Sequence, residues 1–177
     1  MTRCRSWISL VVGFLLVVPA AYGGDAGWDA VGFQAGRGGA RTKESYSRYE
    51  VFANYNLPWA WDLKSQWRAG TYVGINIGSI NSDVAALLAS AGPGIYIETP
   101  SRRVRVSAGF FPTYISRQTF GADDFGGPLQ FTSSVGIDIY LFHHLCLGYK
   151  FQHMSNAGIY AENPGINSHL AALQYRF

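Results

Sequence analysis

Leu129-Gln130-Phe131-Thr132-Ser133-Ser134-Val135-Gly136-Ile137-Asp138-Ile139-Tyr140-Leu141-Phe142 changes character at almost every step. Leu129, Phe131, Val135, Ile137, Ile139 and Leu141 fall on one parity, and Gln130, Thr132, Ser134, Asp138 and Tyr140 on the other. A period of two is the signature of a β-strand, whose successive side chains point to opposite faces. After His143-His144 the pattern resumes, with Leu145, Leu147, Tyr149 and Phe151 opposite Cys146, Gly148, Lys150 and Gln152. Near the end, Leu173, Tyr175 and Phe177 oppose Gln174 and Arg176. The apolar face is rich in aliphatic and aromatic residues, and the other carries charge. A soluble sandwich or lipocalin-like barrel would turn the apolar face inward and expose few aromatics. A membrane barrel turns it outward, towards lipid.

The same reading over the whole chain predicts eight strands, at 29–37, 47–58, 67–79, 85–98, 104–116, 129–142, 145–157 and 166–177. Unpaired backbone groups are not tolerated in hydrocarbon, so such strands must close. Eight is an even count whose interior side chains can fill. The expected fold is therefore all-β, an eight-stranded antiparallel transmembrane β-barrel spanning 24–177. Arg68, Glu98, Arg105, Asp138, Lys150, Gln152 and Arg176 take the interior parity, predicting a polar core of mixed charge rather than a pore. The Leu173-x-Tyr175-x-Phe177 ending resembles the C-terminal signature of bacterial outer-membrane barrels. With both termini in the periplasm, the connections at 99–103 and 143–144 are short periplasmic turns, and the one at 59–66 is longer than expected. The loops at 117–128 and 158–165 are extracellular.

Composition agrees. Glycine occurs 21 times and aromatics make up 15% of the chain, against 14% charged residues, well below the roughly 25% of soluble domains. After residue 24 no apolar run approaches the ~18 residues of a membrane helix. Residues 1–23 read as a secretory signal peptide: Arg3 and Arg5, an apolar core from Trp7 to Val18, then Ala21-Tyr22-Gly23. Removing Arg3 and Arg5 lowers the basic count from 14 to 12, against 11 acidic residues. The remaining charge of +1 excludes a nucleic-acid footprint. Cys4 leaves with the signal, so Cys146 has no partner for an intrachain disulfide.

The chemistry gathers at Gln152-His153-Met154-Ser155-Asn156-Ala157-Gly158. His153 and Ser155 share the outward face, roughly 7 Å apart at Cα, near the extracellular end of the seventh strand. A base beside a hydroxyl, on a surface where polar groups are costly, points to chemistry on lipid of the outer leaflet. Counting back from Phe177 in twos places Asn167 and His169 on the same face of the next strand. His143 and His144 point to opposite faces and form no metal pair, and Arg102-Arg103 reads as a solvated turn.

His153-Met154-Ser155-Asn156-Ala157-Gly158, followed by Asn163-Pro164-Gly165-Ile166-Asn167, resembles the C-terminal motif of the lipid A 3-O-deacylases, the PagL family. The resemblance implies an outer-membrane esterase that removes the 3-position acyl chain of lipid A, the lipid part of lipopolysaccharide, without a cofactor or metal. It implies Ser155 as nucleophile, His153 as general base, and Asn156 and Gly158 as the oxyanion hole. The chemistry is consistent, because a hydroxyl needs a base and the acyl oxyanion needs preorganised donors. The family places a glutamate on the last strand to orient the histidine, where this chain has Asn167. Glu162, in the loop, is the alternative orienter, and His169 an alternative base. Asn163-Pro164-Gly165 is a turn signal whatever the function. The competing readings are a non-enzymatic structural or adhesion barrel, in which His153 and Ser155 only touch headgroups, and an outer-membrane phospholipase or acyltransferase. The partners expected are lipopolysaccharide and outer-membrane lipid, with a homodimer compatible with the sequence but not selected by it.

Overall fold

A computed structural model describes residues 26–40, 44–142 and 144–177. The expected signal peptide at 1–23, with Cys4, lies outside the described residues, and so does His143. The strands are β1 (Gly27–Ala40), β2 (Ser45–Asp62), β3 (Arg68–Asn81), β4 (Ala85–Glu98), β5 (Val104–Ile115), β6 (Thr119–Phe120), β7 (Asp123–Asp124), β8 (Leu129–Phe142), β9 (Leu145–Ser155) and β10 (Ile166–Arg176). Eight of them close into one antiparallel barrel in the order β1-β10-β9-β8-β5-β4-β3-β2, while β6 and β7 form a small hairpin. Closure comes from β1 pairing with β10, from Ala30 opposite Arg176 to Ala40 opposite Ile166. The eight expected strands are all present.

Most strand ends shift by one to four residues from expectation, β9 ending at Ser155 rather than 157, and two connections differ in kind. β2 continues past Pro58 to Asp62, so the long turn expected at 59–66 shrinks to a 3₁₀ turn at Lys64–Gln66 and its flanks. Pro58 has no N–H to give a ladder. The pairing with β3 therefore jumps from Asn56 opposite Tyr72 to Ala60 opposite Gly70, and the strand resumes beyond the bulge. The expected loop at 117–128 contains the β6–β7 hairpin, seated on the barrel mouth.

Parity holds around the wall except at the start of β1, where a bulge buries both Asp29 and Ala30. Ile137, Leu147, Tyr149 and Leu173 are between 40% and 50% exposed, whereas Asp138 is buried. Trp28, Trp59, Trp67, Phe142, Tyr175 and Phe177 are exposed at the short-turn end, the arrangement of an aromatic girdle. No described helix is long and apolar enough to cross a membrane; the strands supply the lipid-facing surface.

The interior is layered. At the short-turn end Asp29 and Glu98 interleave with Arg105 and Arg176. Arg105 Nε donates to Glu98 Oε1 at 2.8 Å, Arg176 Nε donates to Asp29 Oδ1 at 2.9 Å, and each arginine also reaches the other carboxylate. Midway, Lys150 Nζ lies 3.8 Å from the centre of the Phe52 ring, and Glu50 accepts hydrogen bonds from Gln34 and Arg48. Towards the long-loop end the expected polar core gives way to an apolar plug. Ile80, Leu88, Ile115, Met154 and Ile166 pack there with Tyr46, Phe120 and Phe125. The β5–β8 loop folds back and drops the two phenylalanines into the mouth, and the Tyr46 hydroxyl donates to Asp123 Oδ2 at 2.6 Å to pin the hairpin.

Candidate active site

The register of β9 with β10 sets His153 directly opposite Asn167 on the outward face near the long-loop rim. His153 Nδ1 donates to Asn167 Oδ1 at 2.7 Å. A carboxamide oxygen only accepts, so Nδ1 carries a proton, and in the neutral ring Nε2 then holds the lone pair. Ser155 is the last residue of β9, two beyond His153, and its neighbour across β8 is Phe131. His153, Ser155 and Asn167 line one open surface cavity of about 420 Å³, together with Gly39, Ala40, Asn163, Pro164 and Gly165. Gly165 adopts φ of +65°, a region favouring glycine, and a Cβ there would stand 3.4 Å from His153 Cε1. The loop thus returns against the edge of the imidazole.

The other expected site residues divide differently. Glu162 is exposed and does not line the cavity; its backbone carbonyl accepts from Asn156 Nδ2 at 2.6 Å. Asn156 is fully buried. Its Nδ2 also donates to the Phe125 carbonyl at 3.0 Å, and its Oδ1 accepts from the Gly158 N–H at 2.8 Å. The Asn156 N–H donates to Asn163 Oδ1 at 3.2 Å. Asn156 therefore ties the β9–β10 loop to the apolar plug, and the Gly158 donor is held inside that loop. His169 lies two residues from Asn167, with Nδ1 2.6 Å from the Tyr149 hydroxyl and its ring edge-on to Phe151. His144 sits at the opposite rim, Nδ1 2.6 Å from the Arg176 carbonyl and stacked on Tyr175.

Gly39 and Ala40 were not foreseen as site residues. They arrive from the other end of the chain because barrel closure lays β1 against β10, with Gly39 opposite Asn167. Asn163 was expected only within the motif stretch and its turn, with no role of its own. Its side chain both lines the cavity and holds the Asn156 N–H.

The sequence matches the family model described as lipid A 3-O-deacylase (PagL) over residues 47–176. The chain belongs to this family. The fold agrees with a solved structure described as the crystal structure of the outer membrane enzyme PagL, at a TM-score of 0.69 and 19% identity. That match covers 84% of this chain and 99% of the other. A de novo designed transmembrane β-barrel also matches, at a TM-score of 0.49 and 11% identity, over 88% of this chain and 99% of that one. No curated protein matches the sequence.

Proposed function

We propose that this protein is an outer-membrane esterase that hydrolyses the 3-position acyl ester of lipid A, with the long-loop end extracellular and the cavity level with the outer leaflet. The observation that carries the reading is the hydrogen bond from His153 Nδ1 to Asn167 Oδ1 beside Ser155, on the lipid-facing wall of a barrel of this family. Substrate acyl chains lie along the apolar exterior below the cavity, and the ester enters at the height of Ser155.

His153 Nε2 takes the Ser155 proton as Oγ attacks the ester carbonyl, giving a tetrahedral oxyanion. The imidazolium, held in orientation by Asn167, returns the proton to the departing sugar 3-oxygen. The acyl-enzyme is then opened by water through the same base, releasing a free hydroxy fatty acid. For the oxyanion, the backbone N–H of Asn156, at the start of the Asn156–Gly158 turn, is the proposed donor. The Asn156 N–H becomes available when the substrate carbonyl displaces Asn163 Oδ1, whereas Asn156 Nδ2 and the Gly158 N–H stabilise the loop that presents it. Asn167 accepts the Nδ1 proton but brings no negative charge, so it stabilises the imidazolium less than a carboxylate would.

Mass spectrometry of lipid A from cells with and without the protein tests the reading. Loss of one 3-hydroxyacyl chain that depends on Ser155 is the expected result. A lysophospholipid product would instead assign a phospholipase, and unchanged lipids a non-enzymatic barrel.

A further inference from the structure

Arg37 stands on β1 two residues before Gly39, exposed on the outward face. Its partner across β10 is His169 and across β2 is Ser47. Among the described residues it is the one Asp, Glu, Lys or Arg at an outward-parity position of the eight barrel strands. No side-chain hydrogen bond or ion pair engages it among the described residues. A charged group on a lipid-facing wall is costly at depth and tolerated where its head reaches the polar headgroups. From Arg37 that route runs along the wall to the level of Gly39, roughly 7 Å away at two strand residues. Gly39 leaves the path open, since a Cβ there would meet only the Glu44 carbonyl, at 3.6 Å. His169 stands beside this route, its Nδ1 already engaged by Tyr149, which leaves Nε2 free of protein partners among the described residues.

We propose that Arg37, with His169 beside it, forms an anion site that binds a phosphate monoester carried by the glycolipid substrate and so sets the ester at Ser155. This inference rests on the deacylase reading and adds the feature of the substrate that is recognised. The chemistry suits an anion with paired oxygens such as phosphate, because a planar guanidinium donates two parallel N–H bonds to them. The site adjoins the catalytic cavity through Gly39 and Asn167, which face each other across β1 and β10. A lipid seated over the cavity therefore lies across both.

The experiment measures kcat and KM for the full chain in detergent micelles, using bisphosphorylated and phosphate-free lipid A as substrates. The parent is expected to favour the phosphorylated lipid by about tenfold in kcat/KM, the scale of one charge-assisted hydrogen-bonded contact. Arg37→Gln should collapse that ratio towards one through KM, and Arg37→Lys should restore part of it. Equilibrium binding of the same two lipids in a Ser155→Ala background gives a readout that needs no turnover, and phosphate-dependent binding there should vanish with Arg37→Gln. A ratio kept by Arg37→Gln, or binding in the Ser155→Ala background that ignores phosphate, overturns the inference. A parent that releases no hydroxy fatty acid overturns the deacylase reading instead, and the binding arm then decides the phosphate site by itself.

Discussion

Asn167 is where the cavity departs from the pattern its sequence motif implies, and its geometry limits what an amide can replace. It meets His153 Nδ1 at 2.7 Å, which settles the tautomer but adds no charge. Asn167→Ala should therefore slow turnover markedly, though less than loss of Ser155. Asn167→Glu should keep or raise activity, because a carboxylate also stabilises the imidazolium. Glu162→Gln should be nearly silent, since that side chain is exposed and away from the cavity. Comparing kcat/KM for the three variants checks this; a damaging Glu162→Gln with an inert Asn167→Ala would reverse the assignment. Ser155→Ala and His153→Ala should each abolish deacylation, by roughly 10⁴–10⁶ in kcat, while the barrel still folds and migrates as the compact species before heating. Activity within tenfold of the parent for either would remove its role. That His153, Ser155 and Asn167 share one outward face was legible in sequence because strand parity and a local motif agree. The burial of Asn156 was not, because its partners include Phe125, thirty-one residues away.

At the scale of elements, the β9–β10 loop depends on a second loop. The Asn156 side chain spans from β9 to the β5–β8 loop, and Gly126 and Gly127 lie so close to Tyr160 that a Cβ on either would come within 2.4 Å of that side chain. The two loops thus pack as one unit over the plug. Asn156→Ala would remove the three hydrogen bonds its side chain makes, to the Phe125 and Glu162 carbonyls and from the Gly158 N–H, each worth on the order of 0.5–1.5 kcal/mol. It should loosen residues 157–165, seen as faster limited proteolysis there, and lower kcat more than it raises KM. Unchanged proteolysis alongside lost activity would instead favour a direct oxyanion role for the Asn156 side chain. The prolines were harder to read. Pro58 is carried by a bulge, and Pro93 and Pro112 fall in the one stretch where β4 and β5 leave their ladder unpaired, between Ser90–Thr113 and Gly94–Gly109. A missing N–H is tolerated when both strands give up pairing at the same height.

For the molecule as a whole, stability resides in the wall and in its interior charges. Two carboxylates and two guanidinium groups balance at the short-turn end, with side chains 2% to 17% exposed. Removing one member strands an opposite charge inside, which costs about 3–5 kcal/mol. Arg105→Leu should accordingly lower the unfolding temperature in detergent, whereas Arg105→Leu combined with Asp29→Asn should recover much of the loss. Activity at the far rim should follow the folded fraction. An Arg105→Leu barrel as heat-resistant as the parent would show that the ring contributes nothing to stability.

The sequence by itself determined the strand count, the inward or outward sense of the last three strands and of the interior charges they share with β3 to β5, and the placing of His153 with Ser155 on one face. These follow from a period of two and from the rule that hydrocarbon accepts no unpaired backbone, both local or nearly so. Only the tertiary structure decided that β1 closes on β10 at a register bringing Gly39 and Ala40 to the cavity and Arg37 opposite His169. It alone decided that Phe120 and Phe125 turn inward to plug the mouth, and that Asn156 is drawn into the loop scaffold. Register between the two ends of a chain, and the inward fold of a long loop, depend on contacts distant in sequence. No local pattern encodes them.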